Sequence, residues 1–179
     1  MRVITGMARG MRLETLKGDD VRPTTDKVKE AMFSILQFQI EGRRVLDLFA
    51  GSGQLGIEAL SRGAAQVVFV DSSRSAAEMV RKNLLHTKLD KNARVINADF
   101  ATYLKGKIDK FDIALLDPPY RKGLVQQALP MVAQIMNKGG VIVCETPLDE
   151  NLADLGGDFK LEKEYRYGQI KLSVFRNGE

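Results

Sequence analysis

The chain has 179 residues, 44% of them hydrophobic, with a formal net charge of +4. That length suits one compact domain with a sizeable core, while a single cysteine, Cys144, excludes an internal disulfide and a single histidine, His86, excludes the usual Cys/His metal cluster. No apolar run follows Arg2 as in a leader, and none approaches the ~20 residues that span a bilayer, so a cytoplasmic location is expected.

Residues 1–16 read as a β-hairpin, with a turn between Gly6 and Gly10. This makes residues 1–21 an extension ahead of a body at 22–179 within one domain. Residues 1–12 carry Arg2, Arg9 and Arg12 and no acid, a patch suited to a polyanion. Arg22-Pro23-Thr24-Thr25 leads into a helix whose Val28, Ala31, Met32, Ile35 and Leu36 share one face. Thr24 or Thr25 can cap its free N–H groups, and Asp26 suits the positive end of its dipole.

From Val45 the pattern alternates. Strands are expected at 44–49, 66–71, 93–98, 111–117 and 140–145, and helices at 54–62, 75–85 and 123–136, with a short one at 100–104. Pro130 should kink the helix at 123–136. Two further strands, 160–165 and 169–175, flank Tyr167-Gly168. The fold class is therefore α/β: a mostly parallel sheet with helices on both faces and an antiparallel C-terminal hairpin at one edge. Ligands of such sheets bind at the carboxyl ends of the strands. Asp47, Asp71, Asp99 and Asp117 all fall at or just past such ends.

The most telling stretch is Ile113-Ala114-Leu115-Leu116-Asp117-Pro118-Pro119-Tyr120. Neither proline can donate to a sheet ladder, and each holds its predecessor extended. The strand must stop at Asp117, leaving a stiff corner with a carboxylate and exposed carbonyls. A planar amino group fits there, giving one N–H to Asp117 and one to the Pro118 carbonyl, while Tyr120 stacks on the attached ring. Such a cradle suits the exocyclic amine of a nucleobase. Arg121 and Lys122 follow directly and can meet a nucleic-acid backbone.

Asp47-Leu48-Phe49-Ala50-Gly51-Ser52-Gly53-Gln54-Leu55-Gly56 contains Gly-x-Gly-x-x-Gly, and Asp71 falls 20 residues after Gly51. This formally matches a dinucleotide fingerprint. Asp47 would then repel a pyrophosphate. S-adenosylmethionine carries an ammonium and a sulfonium instead, and Asp47 becomes an attraction. On this reading the glycines admit the methionine portion, Asp71 accepts from both ribose hydroxyls, and Asp99-Phe100 meets the adenine. His86 reads as a surface or cap residue, Cys144 as a buried thiol, and Met131 and Met136 as helix core. Tyr165 and Tyr167 read as hairpin packing, and Glu145 can face the site or not.

With those residues in place, the chain resembles the bacterial 16S ribosomal RNA (guanine-N2) methyltransferases of the RsmD type, nearly end to end. The resemblance rests on Arg2-Val3-Ile4-Thr5-Gly6, on Arg9-Gly10-Met11-Arg12-Leu13, and on the stretch Arg22-Pro23-Thr24-Thr25-Asp26-Lys27-Val28-Lys29-Glu30-Ala31-Met32-Phe33. Asp47 to Gly53 and Asp117-Pro118-Pro119-Tyr120 complete it, although these two recur across many amino-methyltransferases. It implies a Rossmann-like class I fold, S-adenosylmethionine as methyl donor, and methylation of a guanine N2 in 16S rRNA, at the position numbered 966 in family nomenclature. The partner implied is the small ribosomal subunit or its assembly intermediate. It also implies a donor site drawing on Arg22, Thr24, Asp47, Gly51, Ser52, Gly53, Asp71, Ser72, Asp99 and Phe100. Catalysis falls to Asp117, Pro118, Pro119 and Tyr120, and RNA contact to Arg2, Arg9, Arg12, Arg121 and Lys122. Asp71 stands where relatives often carry Glu, and Gln54 replaces a small residue.

Three rivals remain. A DNA adenine-N6 or cytosine-N4 methyltransferase uses the same corner but usually needs an added target-recognition domain. A non-catalytic RNA-binding assembly factor would have little use for the intact corner. An NAD oxidoreductase meets the difficulty of Asp47 and lacks a well-placed proton donor.

Overall fold

The computed structural model describes residues 1–17, 25–106, 109–119 and 123–178. Helix α1 (Asp26–Ile35) starts where the Thr25 hydroxyl accepts from the Val28 N–H. The alternating body follows as β1 (Arg44–Leu48), α2 (Gln54–Ser61), β2 (Gln66–Asp71), α3 (Arg74–Thr87), β3 (Ala93–Asn97), α4 (Phe100–Lys105), β4 (Phe111–Leu116) and α5 (Leu124–Ala133). Three strands close the chain: β5 (Met136–Pro147), β6 (Phe159–Tyr167) and β7 (Ile170–Asn177).

The seven strands form one sheet in the order β3-β2-β1-β4-β5-β7-β6. The first five run parallel, and β7 pairs antiparallel with both β5 and β6. This is the expected mixed α/β sheet with a C-terminal hairpin. Successive connections from β1 run toward β3 on one side, then return to place β4 on the other. The strand order thus reverses between β1 and β4, and a crevice opens at their carboxyl ends.

Side chains alternate across the strands and divide the core in two. Val45, Phe69, Ile113 and Leu115 pack toward Phe33 of α1, Ile57 of α2 and Val80 of α3. Leu46, Val70, Leu116 and Cys144 pack toward Leu104 of α4 and Leu129 of α5. Both faces of the central strands are therefore dry, which is why their sequences read as unbroken apolar runs.

Residues 1–16 form the expected hairpin in a short version: an antiparallel bridge pairs Arg2 with Arg12, the Val3 and Leu13 N–H groups donate to the Met11 and Met1 carbonyls, and the Gly10 N–H donates to the Val3 carbonyl. Backbone groups that the two arms do not pair are taken by helix side chains. The Glu58 carboxylate accepts from the Ile4 and Thr5 N–H groups, and the Ser61 hydroxyl accepts from Ala8 and donates to the Thr5 carbonyl. Met136 belongs to β5 rather than to a helix, because α5 ends at Ala133 and a register shift between Phe111 and Ile113 extends the ladder back to Met136. Pro130 lies inside α5, past the first turn, where it removes one helical N–H donor.

Candidate active site

A cavity of about 780 Å³ opens at the carboxyl ends of the parallel strands. Its floor is the loop after β1, from Phe49 to Ser52, where Phe49 and Gly51 adopt the left-handed conformation at φ 67 and 57. One wall comes from Asp71, Ser72 and Ser73 after β2, and from Ala98, Asp99 and Phe100 after β3. The opposite wall is Asp117-Pro118-Pro119 after β4, with Leu124 at the start of α5. Met1, Thr15, Leu16 and Lys17 close the rim. The acidic strand ends at 71, 99 and 117 thus meet in one cavity.

Each wall has an identifiable support. The Asp71 carboxylate accepts from the Gly51 N–H through one oxygen and from the Ser73 N–H through the other, both at 2.9 Å. It therefore fixes the glycine loop against the end of β2. Each oxygen retains a lone pair for a further donor. Asp99 caps α4, accepting from the Ala101 and Thr102 N–H groups. The rings of Phe49 and Phe100 lie 5.3 Å apart at 55°, an apolar pair inside the cavity.

Asp47 and Gly53 are placed differently from the expectation that they touch a ligand. Neither lines the cavity. Asp47 is 1% exposed and sits beneath the loop, where its carboxylate accepts from the Gly56 N–H at 2.9 Å. Burial pushes its pKa up to about 8; the Gly56 hydrogen bond opposes the rise and the Asp71 charge adds to it. At neutral pH Asp47 is then largely protonated. It supplies neither the attraction for an ammonium nor the full repulsion of a pyrophosphate that the sequence suggested. It does occupy an N–H in the first turn of α2, a group that a pyrophosphate at a helix N-terminus would use. Gly53 is required for packing: it starts α2 at φ 84, and a Cβ there would meet Val80 at 3.1 Å. Gly56 is tighter still, since its Cβ would lie 2.2 Å from the Phe69 ring.

Glu145 is buried and lines a small recess against Pro118, Pro119 and Pro147. It stands one residue beyond the Leu116–Cys144 register pair, beside Asp117 on the neighbouring strand. Arg2, Arg9 and Arg12 are exposed. Arg2 and Arg12 lie at the cavity end of the N-terminal segment, where Leu13 donates to the Met1 carbonyl. Arg9 sits in the turn that Met7 and Ala8 hold against Ser61, at the other end of α2. Arg22, Thr24, Tyr120, Arg121 and Lys122 fall outside the described residues. His86 is exposed in the last turn of α3, and Cys144 is a buried thiol whose pKa burial raises. Met131 packs within the lower core, and Tyr165 and Tyr167 pack against the upper one.

Sequence reasoning passed over several buried polar residues that hold the N-terminal segment in place. Lys29 and Glu58 are both fully buried, 3.6 Å apart, and Lys29 also donates to the Arg2 carbonyl. Desolvation lowers the Lys29 pKa against the pull of Glu58. Asn83, 1% exposed, contacts both the N-terminal segment and Ser52. The available signal was a polar residue on an apolar helix stripe: Lys29 among Val28, Met32 and Phe33, and Asn83 between Val80 and Leu84.

Comparison with known proteins places the chain in a family and a fold. The family described as "Conserved hypothetical protein 95" matches residues 1–176. The chain is 37% identical to the Bacillus subtilis protein YlbH over 98% of each chain. It is 33% identical to Escherichia coli "Ribosomal RNA small subunit methyltransferase D" over 98% of this chain and 89% of that one. The solved Escherichia coli protein yhhF superposes with a TM-score of 0.89 at 33% identity, covering 99% and 98% of the two chains. A more distant Salinibacter ruber RNA methyltransferase, solved with S-adenosyl-L-homocysteine, shares the fold at a TM-score of 0.69 and 16% identity, over 88% and 95%. The fold is that of S-adenosylmethionine-dependent methyltransferases, and the chain belongs to the RsmD family of ribosomal RNA methyltransferases.

Proposed function

We propose that this protein transfers a methyl group from S-adenosylmethionine to the exocyclic N2 of a guanine in 16S rRNA, the family's position 966, within an assembling small ribosomal subunit in the cytoplasm. One observation carries the reading. The Asp117-Pro118-Pro119 corner opens into the same cavity as Asp71, the glycine loop and the Phe49–Phe100 pair. An amine held at the corner and a nucleoside held at Asp71 therefore share one enclosed space. The relatives' names supply the substrate class, and the S-adenosyl-L-homocysteine bound to the Salinibacter protein supports the donor.

The residues present fit that donor. Asp71 offers two oxygens for ribose hydroxyls, and Phe49 with Phe100 gives an apolar slot for a purine. The donor, when bound, supplies an electrophilic methyl on a sulfonium. The chain's own work is orientation. A guanine N2 is a poor nucleophile because its lone pair is delocalised into the ring. Hydrogen bonds from its protons to the Asp117 carboxylate and the Pro118 carbonyl favour a pyramidal nitrogen and aim its lone pair into the cavity. Pro119 keeps the Pro118 carbonyl in place by restricting that residue to extended backbone. Tyr120 is assigned to stack on the base, a contact worth about 1–3 kcal/mol in single-strand binders. Asp117 need not be a strong base, since a methylated amine bearing positive charge loses its proton readily.

The decisive experiment incubates the protein with labelled donor and undermethylated small subunits, then analyses the nucleosides by mass spectrometry. N2-methylguanosine is the expected product. Label in adenine or cytosine of DNA would transfer the reading to the DNA methyltransferase rival, and tight NAD binding that displaces the donor would end it.

A further inference from the structure

Both ends of the N-terminal segment reach the cavity: Met1 at one end, Thr15, Leu16 and Lys17 at the other. Besides a 4.0 Å contact of the Ser52 hydroxyl with the Met1 sulfur, a buried side chain on α3 joins this segment to the cavity floor. Asn83 projects from α3 with 1% of its surface exposed. Its Nδ2 donates to the Glu14 carbonyl and to the Ser52 carbonyl, and its Oδ1 accepts from the Glu14 N–H, all at 2.9 Å. Glu14 immediately precedes the lining residue Thr15, and Ser52 is itself a lining residue between Gly51 and Gly53. A carboxamide offers two N–H donors and one carbonyl acceptor, and this site uses all three. A carboxylate of the same shape keeps only the acceptor, and an apolar side chain keeps nothing.

The rest of the segment is held independently. Glu58 takes the Ile4 and Thr5 N–H groups, and Ser61 takes Ala8 and the Thr5 carbonyl, without touching the glycine loop. Removing the Asn83 amide therefore cuts the link between residue 14 and the loop, leaving Glu14 its exposed ion pair with Lys82, while residues 4–8 stay anchored on α2. It also leaves the Ser52 and Glu14 carbonyls without their side-chain donor.

We propose that Asn83 is a positioning residue for the methyl donor, coupling the docking of the N-terminal segment to the shape of the glycine loop, so that donor binding and ordering of residues 14–17 form one linked equilibrium. The inference rests on the S-adenosylmethionine reading above. Linkage is reciprocal: if the ordered segment favours the donor, the donor must hold the segment down.

The test uses the full chain with S-adenosylhomocysteine as probe, following hydrogen exchange and calorimetric affinity in the wild type, Asn83→Asp and Asn83→Ala. In the wild type, the probe should slow exchange at residues 14–17 as well as in the glycine loop. Either variant should bind it about tenfold more weakly, the size expected when a buried polar contact is broken. Probe-dependent protection at 14–17 should disappear, while the Ile4 and Thr5 amides exchange as before. A purely structural role would lower the thermal midpoint and leave affinity untouched. Unchanged affinity in a folded variant overturns the proposal. So does a wild-type segment whose exchange ignores the probe, a result that needs no variant to fold. A wild type that does not bind the probe would remove the donor reading itself, and this inference with it.

Discussion

The two halves of the cavity are made by opposite means. On the donor half, the loop that floors the cavity is set in place by side chains distant in sequence: Asp47 on Gly56, Asp71 on Gly51, Asn83 on Ser52. On the acceptor half, β4 ends at Leu116, just before Asp117, and two prolines hold the corner by their own covalent restriction. The donor half is thus a property of the tertiary structure, and the acceptor half a property of four consecutive residues. Substitutions on the first should change binding and stability; those on the second should change turnover.

The largest effect expected is at the corner. Asp117→Ala should lower turnover on small subunits by roughly 10²-fold or more, because amine orientation is lost, while donor affinity by calorimetry stays within about twofold of wild type. A variant that binds donor poorly but turns over normally at saturation would reverse the assignment of the two halves. Next is Asp71→Ala. It removes a ribose partner and the brace on the Gly51 N–H together, so donor affinity should fall by about 1–3 kcal/mol, with kcat at saturating donor much less affected. Equal losses in kcat would mean that the loop also positions the reacting centre.

Asp47 provides a pH-dependent test of the donor half. Folded, it keeps its proton to about pH 8; unfolded, it releases it near the ordinary value of 3.8. Between these values the native state holds the extra proton, so this group's stabilising contribution is full below pH 3.8 and is lost as pH rises through 8. Asp47→Asn abolishes that titration. The difference in thermal midpoint between variant and wild type should therefore move steadily in the variant's favour from pH 4 to 8, then level. A difference independent of pH would show Asp47 ionised throughout.

The smallest effect concerns RNA contact along the N-terminal segment. Arg12 lies beside the cavity end and Arg9 beside Ser61, at the far end of α2. Arg12→Glu should weaken RNA binding and reduce the logarithmic salt slope by about 0.7–0.9 if one phosphate contact is lost. Arg9→Glu should do less. Equal losses would extend the RNA footprint over the whole segment, and no loss from either would leave it as a wall of the donor site alone.

Much of the architecture was legible in the residues. The strand at Gln66–Asp71 matches its expected bounds, and β1, β3 and β4 differ from theirs by one residue. Dry strands between capped helices leave a strong local record. The N-terminal hairpin was legible as Gly-punctuated alternation, and its two short arms do pair with each other. What the alternation cannot anticipate is the hairpin's docking: the groups left over go to Glu58, Ser61 and Asn83 on two helices. Asp47 was misread for a related reason. Its position at a strand end was visible, but whether it faces the cavity or the underside of the loop depends on where α2 begins above it.

By itself, the sequence determined those features whose cause is local: the βα alternation, the left-handed glycine turn after β1, and the proline-stiffened corner at Asp117. Each follows from backbone restriction or side-chain periodicity within a few residues. The tertiary structure alone decided which polar side chains would be buried and what they would hold. Glu58 reaches Ile4 across 54 residues, and Asn83 reaches Glu14 across 69. A buried polar group is stable only where its partners converge on it in three dimensions, and that convergence has no counterpart in the order of residues along the chain.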